Sequence, residues 1–249
     1  MSNYLVDSAD LTSVANAIRT KGGTSAQLSF PAGFVSAIGD IPTGGGWTTS
    51  GLADRSEPSG AITISGVSTI KAQVFNGCTG ITSVFSSDAT TIEAYAFANI
   101  TALSLVKFPE VTTNTGAYCF QYSGSKGNDG TIYIFPKLQS NGVRMFERCN
   151  AHAIDIGPDF DQINTDFFYN NTETIRIERV ILRKSDGIVA LGAAVSVRGV
   201  ETVYCKSSLI STYQNATNWS DRYLAGRITF VAIEGSEYDG YWADGTPIT

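Results

Sequence analysis

Near the start of the chain, apolar residues fall at Leu11, Val14, Ala15 and Ile18. This is the i, i+3, i+4, i+7 stripe of an amphipathic helix. Ser8 or Asp10 can cap it, and Gly22 and Gly23 supply a left-handed stop after Arg19 and Lys21. A second segment, FPAGFVSAIGDI, starts on Pro31 and aligns Phe34, Val35, Ile38 and Ile41. It predicts another short helix, weakened by Gly33 and Gly39. Two helices of this size hold too little core to stand alone. Leu11, Val14, Ile18, Phe34 and Ile38 are therefore expected to anchor a helical module, residues 1–41, on a neighbour or on sister copies. Pro42, Thr43 and the glycines 44–46 follow as a flexible joint, 42–46, the clearest boundary in the sequence.

Beyond the joint the period changes. Trp47 to about Ser65 alternates polar and apolar residues, predicting a strand-forming entry. Phe75 then heads VFNGCTGITSV, with Cys78, Ile81 and Val84 at three-residue steps, and Phe97 heads AFANITALSLV with Ile100, Leu103 and Val106 in the same places. Phe146 heads MFERCNAHAIDI and Phe168 heads FFYNNTETIRI, while Phe120, in AYCFQYSGS, runs into a polar, Gly-rich insertion. Phe75, Phe97, Phe120, Phe146 and Phe168 stand 22, 23, 26 and 22 residues apart. Ile70, Ile92 and Ile163 recur upstream of three of them. Such a pitch lies within the range of leucine-rich repeats. Each turn would offer one short strand (SV, IDI, IRI) and one Phe plugging the interior, and no turn can bury its apolar face alone. The runs RVILRK, GIVAL and ETVYCK continue a weakened repeat, so the solenoid is expected over 47–205. In 206–249, a short helix around Leu209 to Gln214, a turn and a last strand read as a C-terminal cap, followed by a polar, aromatic tail. The predicted fold class is α+β and β-rich: a repeat solenoid between a small helical module and a cap.

Composition narrows the function classes. Charged residues make up 16% of the chain, against roughly 25% in ordinary domains, so Ser, Thr, Asn, Gly and Tyr must cover much of the surface. The net charge of −6 offers no electrostatic footprint for nucleic acid or anionic lipid, and no apolar run is long enough for membrane insertion. The start, MSNYLVDSAD, has none of the features of a signal peptide. Cys78, Cys119, Cys149 and Cys205 show no CxxC pairing and read as reduced, buried small hydrophobes.

Candidate chemistry is thin. A single histidine, His152, lies three positions after Cys149, yet the repeat register accounts for that cysteine without catalysis. Asp155, Asp159 and Asp161 could offer oxygens to calcium, but the EF-hand spacing is absent. Glu93, Glu110 and Glu173 sit at repeat or turn positions rather than in a recognisable acid pair. Neither a P-loop nor a strand-borne GxGxxG occurs. No catalytic residue, metal or cofactor is expected. Carbohydrate recognition suits the composition better, since aromatic platforms and neutral hydrogen-bonding groups abound. Its candidate residues are Tyr122, Lys126 and Asn128 at the Ser123–Gly130 insertion, and Tyr238, Tyr241 and Trp242 in the tail.

The turns resemble BspA-like leucine-rich repeats, whose pattern is an isoleucine, Ala-Phe, two residues, Cys or Asn, then Leu and Ile or Val. Ile92 to Val106, IEAYAFANITALSLV, is the best match, Ile70 to Val84 follows, and the third turn departs at Ser123. SSLISTYQNATNW resembles the segment that often ends such arrays. DLTSVANAIRTKGG…SFPAGFVSAI resembles the short helical module heading tail-associated and other virion proteins of phages of Gram-positive gut bacteria. These resemblances imply a phage virion structural protein, a tail fibre, tail tip or other appendage used for host-surface attachment. Its implied partners are other virion proteins, further copies of itself (a trimer by analogy with fibre-like parts) and a host cell-surface glycan or protein. It would assemble in the host cytoplasm. A bacterial repeat adhesin is the first alternative, and a surface-polysaccharide depolymerase the second.

Overall fold

The computed structural model describes residue 16, residues 58–240 and residue 243, apart from 114–115, 125–129, 164–165, 171–175, 194–196 and 198. The chain divides into two compact units, Met1–Gly46 and Trp47–Thr249. The expected anchor positions Leu11, Val14, Ile18, Phe34 and Ile38 lie outside the described residues.

The second unit is built around one parallel sheet. Its strands, in spatial order, are β1 (Gly60–Thr63), β3 (Ile81–Phe85), β5 (Leu105–Lys107), β6 (Thr131–Phe135), β7 (Ala151–Ile156), β9 (Ile177–Leu182), β11 (Val200–Cys205) and β12 (Thr229–Ala232). Every pairing is parallel and joins successive turns, so the described residues form a β-solenoid of about seven turns. Short strands on another side pair turn to turn as well: β2 (Thr69–Ile70) with β4 (Thr91–Ile92), and β8 (Gln162–Ile163) with β10 (Ala190–Leu191). Thr91, Thr113 and Ser140 extend the first of these ladders as single bridges.

Strand residues alternate between interior and surface, and the register lines one interior column. Val84, Val106, Tyr133, Ile154, Val180, Val203 and Phe230 are register partners, all buried. Across from this column runs the phenylalanine ladder the spacing predicts. Phe75, Phe97, Phe120 and Phe146 stack with centroids 5.3, 5.5 and 5.5 Å apart, and Phe168 lies 6.3 Å beyond Phe146. Neighbouring turns thus bury each other's rings, which is what holds a solenoid together.

Two readings need correction. The strand after Phe168 spans Ile177–Leu182, so RVILRK continues the strand begun by the last residue of IRI rather than opening a separate one. Ser123, at the start of the insertion, is buried: its hydroxyl donates to Phe120 O at 2.6 Å and lies 2.9 Å from the Tyr133 hydroxyl. Near the C-terminus, Ser207–Leu209 form a 3-10 turn and α1 spans Ile210–Asn215. A second helix, α2 (Trp219–Leu224), stands where only a turn is expected. Its cause is Trp219, whose indole N–H donates to Val189 O at 2.8 Å and whose ring packs edge-on against Tyr213 and Phe230.

One carboxylate is buried in the sheet. Asp155 accepts from Arg183 Nε at 2.7 Å and Nη2 at 3.0 Å, and its side chain is 5% exposed. Burial raises its pKa from 3.8 to about 6, and Arg183 only partly opposes this. The folded state therefore holds the proton more tightly than the unfolded chain. Asp155's contribution to stability is complete below the unfolded value and is lost as pH rises through about 6. The loss should be on the order of 3 kcal/mol, two pH units at about 1.4 kcal/mol each. In urea melts, Asp155→Asn should remove this component of the profile, and a wild-type-minus-variant difference that stayed flat across this range would contradict it.

Candidate functional site

The backbone on either side of each ladder phenylalanine is unusual. Two positions before it, Gln73, Tyr95, Tyr118, Arg144 and Asp166 have φ of 58°, 56°, 61°, 52° and 54°, and two positions after it, Gly77, Asn99, Tyr122 and Arg148 have φ of 78°, 60°, 53° and 50°. The reason is the pairing between turns. Tyr95, Phe97 and Asn99 donate their N–H groups to the carbonyls of Ala117, Cys119 and Gln121, and Tyr118, Phe120 and Tyr122 donate to Val143, Met145 and Glu147. With left-handed residues at its first and last positions, each five-residue stretch turns three alternate donors towards the next turn. Glycine, as at Gly77, takes this conformation without a Cβ penalty, whereas other L-residues incur roughly 1–2 kcal/mol each. Three tyrosines and two arginines nevertheless occupy such positions.

Their side chains line the outside of the turns, while the phenylalanines between them are fully buried. Tyr95 and Tyr118 stack at 4.9 Å with rings 11° apart. Arg144 follows in the same column, 4.3 Å above the Tyr169 ring and 3.3 Å from Asp166 Oδ2. In the parallel column Arg148 lies over the Tyr122 ring at 5.2 Å and donates to its hydroxyl, and Asn99 donates to Asn76 Oδ1 at 2.9 Å. Glu147 lies between the columns, 6% exposed, with Oε2 3.6 Å from Arg144 Nη1. That distance is an ion pair but too long for a hydrogen bond, and both Glu147 Oε2 and Arg148 Nε lack a hydrogen-bond partner. Desolvation raises the pKa of Tyr95, with Tyr118 and Glu147 adding to the shift. Burial works against the charge on Arg144, but Glu147, Tyr118 and Asp166 outweigh it and hold its pKa above the ordinary value.

Of the residues singled out from the sequence, Tyr122 belongs to this face and is 38% exposed. Lys126, Asn128, Tyr241 and Trp242 lie outside the described residues. Tyr238 is 9% exposed and packs with Ala153, Ile181, Tyr204 and Ile233 on the outer side of the sheet. Arg179 holds it there, donating to its hydroxyl at 3.2 Å while ion-paired with Glu237. His152 belongs to the same network, with Nε2 2.7 Å from Arg179 Nη1 and Nδ1 2.9 Å from Glu178 Oε2. Because a guanidinium only donates, Nε2 accepts and the proton sits on Nδ1. Cys149 faces the interior, against the hydroxyls of Tyr133 and Ser123, and burial pushes its thiol up to about 12. Glu93 pairs with Lys71, Glu110 with Lys137, and Asp161 with Lys184. Glu173 lies outside the described residues.

Tyr95, Tyr118, Arg144, Arg148 and Glu147 were missed because sequence reasoning followed apolar steps after each phenylalanine. The available signal was the recurring bulky polar residue two places before it, in YAF, YCF and RMF.

With the fold in view, residues 59–175 match the BspA type leucine-rich repeat region, in 6 copies. The array these residues build is thus a solenoid of BspA-type leucine-rich repeats. Neither a curated protein nor a solved structure matches the chain.

Proposed function

We propose that this is a non-enzymatic attachment protein whose repeat body holds a ligand on a cell surface. The observation that carries the reading is the array of BspA-type repeats itself, a repeat type often found in surface adhesins. A stack of turns presents the same surface positions again and again, which suits an extended ligand. The C-terminal helices, with Trp219 and Tyr213 seated on Val189, act as a cap over the last turns. Residues 1–41 supply the anchor, and the protein works as a homo-oligomer. The carrier of this body is the second question. The resemblance of residues 1–41 to phage virion modules favours display on a virion, with other virion proteins as partners, and the repeats alone favour display on a bacterium.

Flow cytometry with the fluorescently labelled full chain tests the first point. Saturable binding to bacterial or host cells, competed by unlabelled protein, is the expected result. Binding no greater than that of an unrelated acidic protein would sink it. Immunogold microscopy separates the carriers, since label on particles supports the virion form and label confined to cell walls the adhesin form.

A further inference from the structure

We infer that residues 234–240 form a pH-sensitive latch on the outer sheet face, closed while His152 is neutral and released when it is protonated. The root of this turn is fixed: Ile233 N donates to Cys205 O at 2.9 Å, and Ser207 N donates to Glu234 Oε2 at 2.8 Å. Beyond Glu234 the hydrogen bonds run within the turn itself. Ser236 N donates to Ile233 O, Gly235 N to Asp239 Oδ2 and Tyr238 N to Ser236 Oγ. Tyr238 then makes the contact with the sheet, its ring 4.7 Å from that of Tyr204 and packed on Ala153 and Ile181.

A single nitrogen governs that contact. Arg179 Nη1 lies 2.7 Å from His152 Nε2, 3.2 Å from the Tyr238 hydroxyl and 3.2 Å from Glu237 Oε1. Three acceptors thus share one terminal guanidinium nitrogen, and His152 makes the shortest of the three contacts. Only a neutral imidazole can accept there, since Nδ1 carries its proton towards Glu178 Oε2 at 2.9 Å. Protonation sets an Nε2–H against the Arg179 N–H and a second positive charge beside the guanidinium. Glu178 retains the imidazolium through Nδ1, so Arg179 withdraws, and its contacts to Tyr238 and Glu237 go with it. Imidazole ordinarily changes charge between about pH 5 and 8. The closed latch favours the neutral ring, so closure is lost as pH falls through that range.

The other described groups around His152 do not reproduce this response. Arg176, just before β9, pairs with Glu201 of β11 at 2.9 Å. Burial pushes the Tyr238 hydroxyl up to about 12, so it stays neutral. Glu178, Glu237 and Asp239 are carboxylates, a class that ordinarily loses its charge near about pH 4. Asp155 does titrate at about 6, but it pairs with Arg183 towards the other end of β7. Opening uncovers Ala153, Ile181 and Tyr204. Ala153 is the register partner of Ile132, and Ile132 of Leu105, both more than a third exposed. Release therefore lengthens an apolar strip along the outer sheet face under acidic conditions.

Hydrogen–deuterium exchange of the full chain at about pH 5 and about pH 8, corrected for the intrinsic rate at each, tests the latch. Protection of residues 235–239 should fall about tenfold or more at the acidic pH, and β9 should not share the fall. His152→Gln keeps a neutral acceptor beside Arg179, so its protection should be the same at both. Asp155→Asn should leave the wild-type response in place. Equal wild-type protection at the two pH values, or a fall shared equally by β9, would overturn the latch. So would a response that persists in His152→Gln or disappears in Asp155→Asn.

Discussion

Phe120→Ala is expected to lower the unfolding free energy by about 3–5 kcal/mol. Phe120 is fully buried at the middle of the ladder. It stacks on Phe97 and Phe146 at 5.5 Å on either side and meets Tyr133 and Phe135 edge-on at 5.2 and 5.9 Å. Four aromatic contacts are lost at once, and the hole cannot close because the turns above and below are fixed by their backbone ladder. In an array whose turns contact only their neighbours, such a gap also uncouples the two halves. The urea transition should therefore broaden as well as move to lower denaturant. Phe85→Ala is the control: its ring is 36% exposed on the outer sheet face, and its removal should cost less than about 1 kcal/mol. Equal losses for the two variants would refute the ladder as the main support of the fold.

The second large effect is expected at Gly157. A Cβ there would lie 1.6 Å from Pro136 O and 2.4 Å from Pro136 C. Both are backbone atoms at the end of the neighbouring strand, so no rotamer change can clear them. Gly157 N also donates to Phe135 O at 3.0 Å, and the substitution must break this link between turns. Gly157→Ala should thus destabilise by several kcal/mol, on the order of 3–5, and leave most of the protein insoluble. Gly77→Ala has open space around the added carbon and only a left-handed φ of 78° to tolerate, so it should cost about 1 kcal/mol. Soluble yield and thermal melts of the two variants check the contrast, and a Gly157→Ala protein that melted like Gly77→Ala would show that the strands can separate there.

The repeat was legible in the sequence because a solenoid writes its interior at a fixed period. Phe75, Phe97, Phe120, Phe146 and Phe168 must each fill the same slot, and the spacing reports it directly. The turn face was much less legible. What distinguishes Tyr95, Tyr118 and Arg144 is a backbone conformation set by hydrogen bonds to a turn more than twenty residues away, and no local propensity encodes that. The helix at Trp219–Leu224 escaped for a similar reason. Its segment, WSDRYL, has a weak apolar stripe, and the contacts that stabilise it come from Val189, Tyr213 and Phe230. The insertion after Tyr122 hid β6 because its polar run broke the apolar steps. The register resumes at β6, where Tyr133 pairs with Val106 and its hydroxyl meets the buried Ser123.

Attachment by the repeat array is tested most directly by saturation binding to whole cells, measured for the labelled full chain and for an unrelated acidic protein of similar size. A saturable curve for the full chain, competed by unlabelled protein, is the predicted result. Superimposable curves for the two proteins would contradict it.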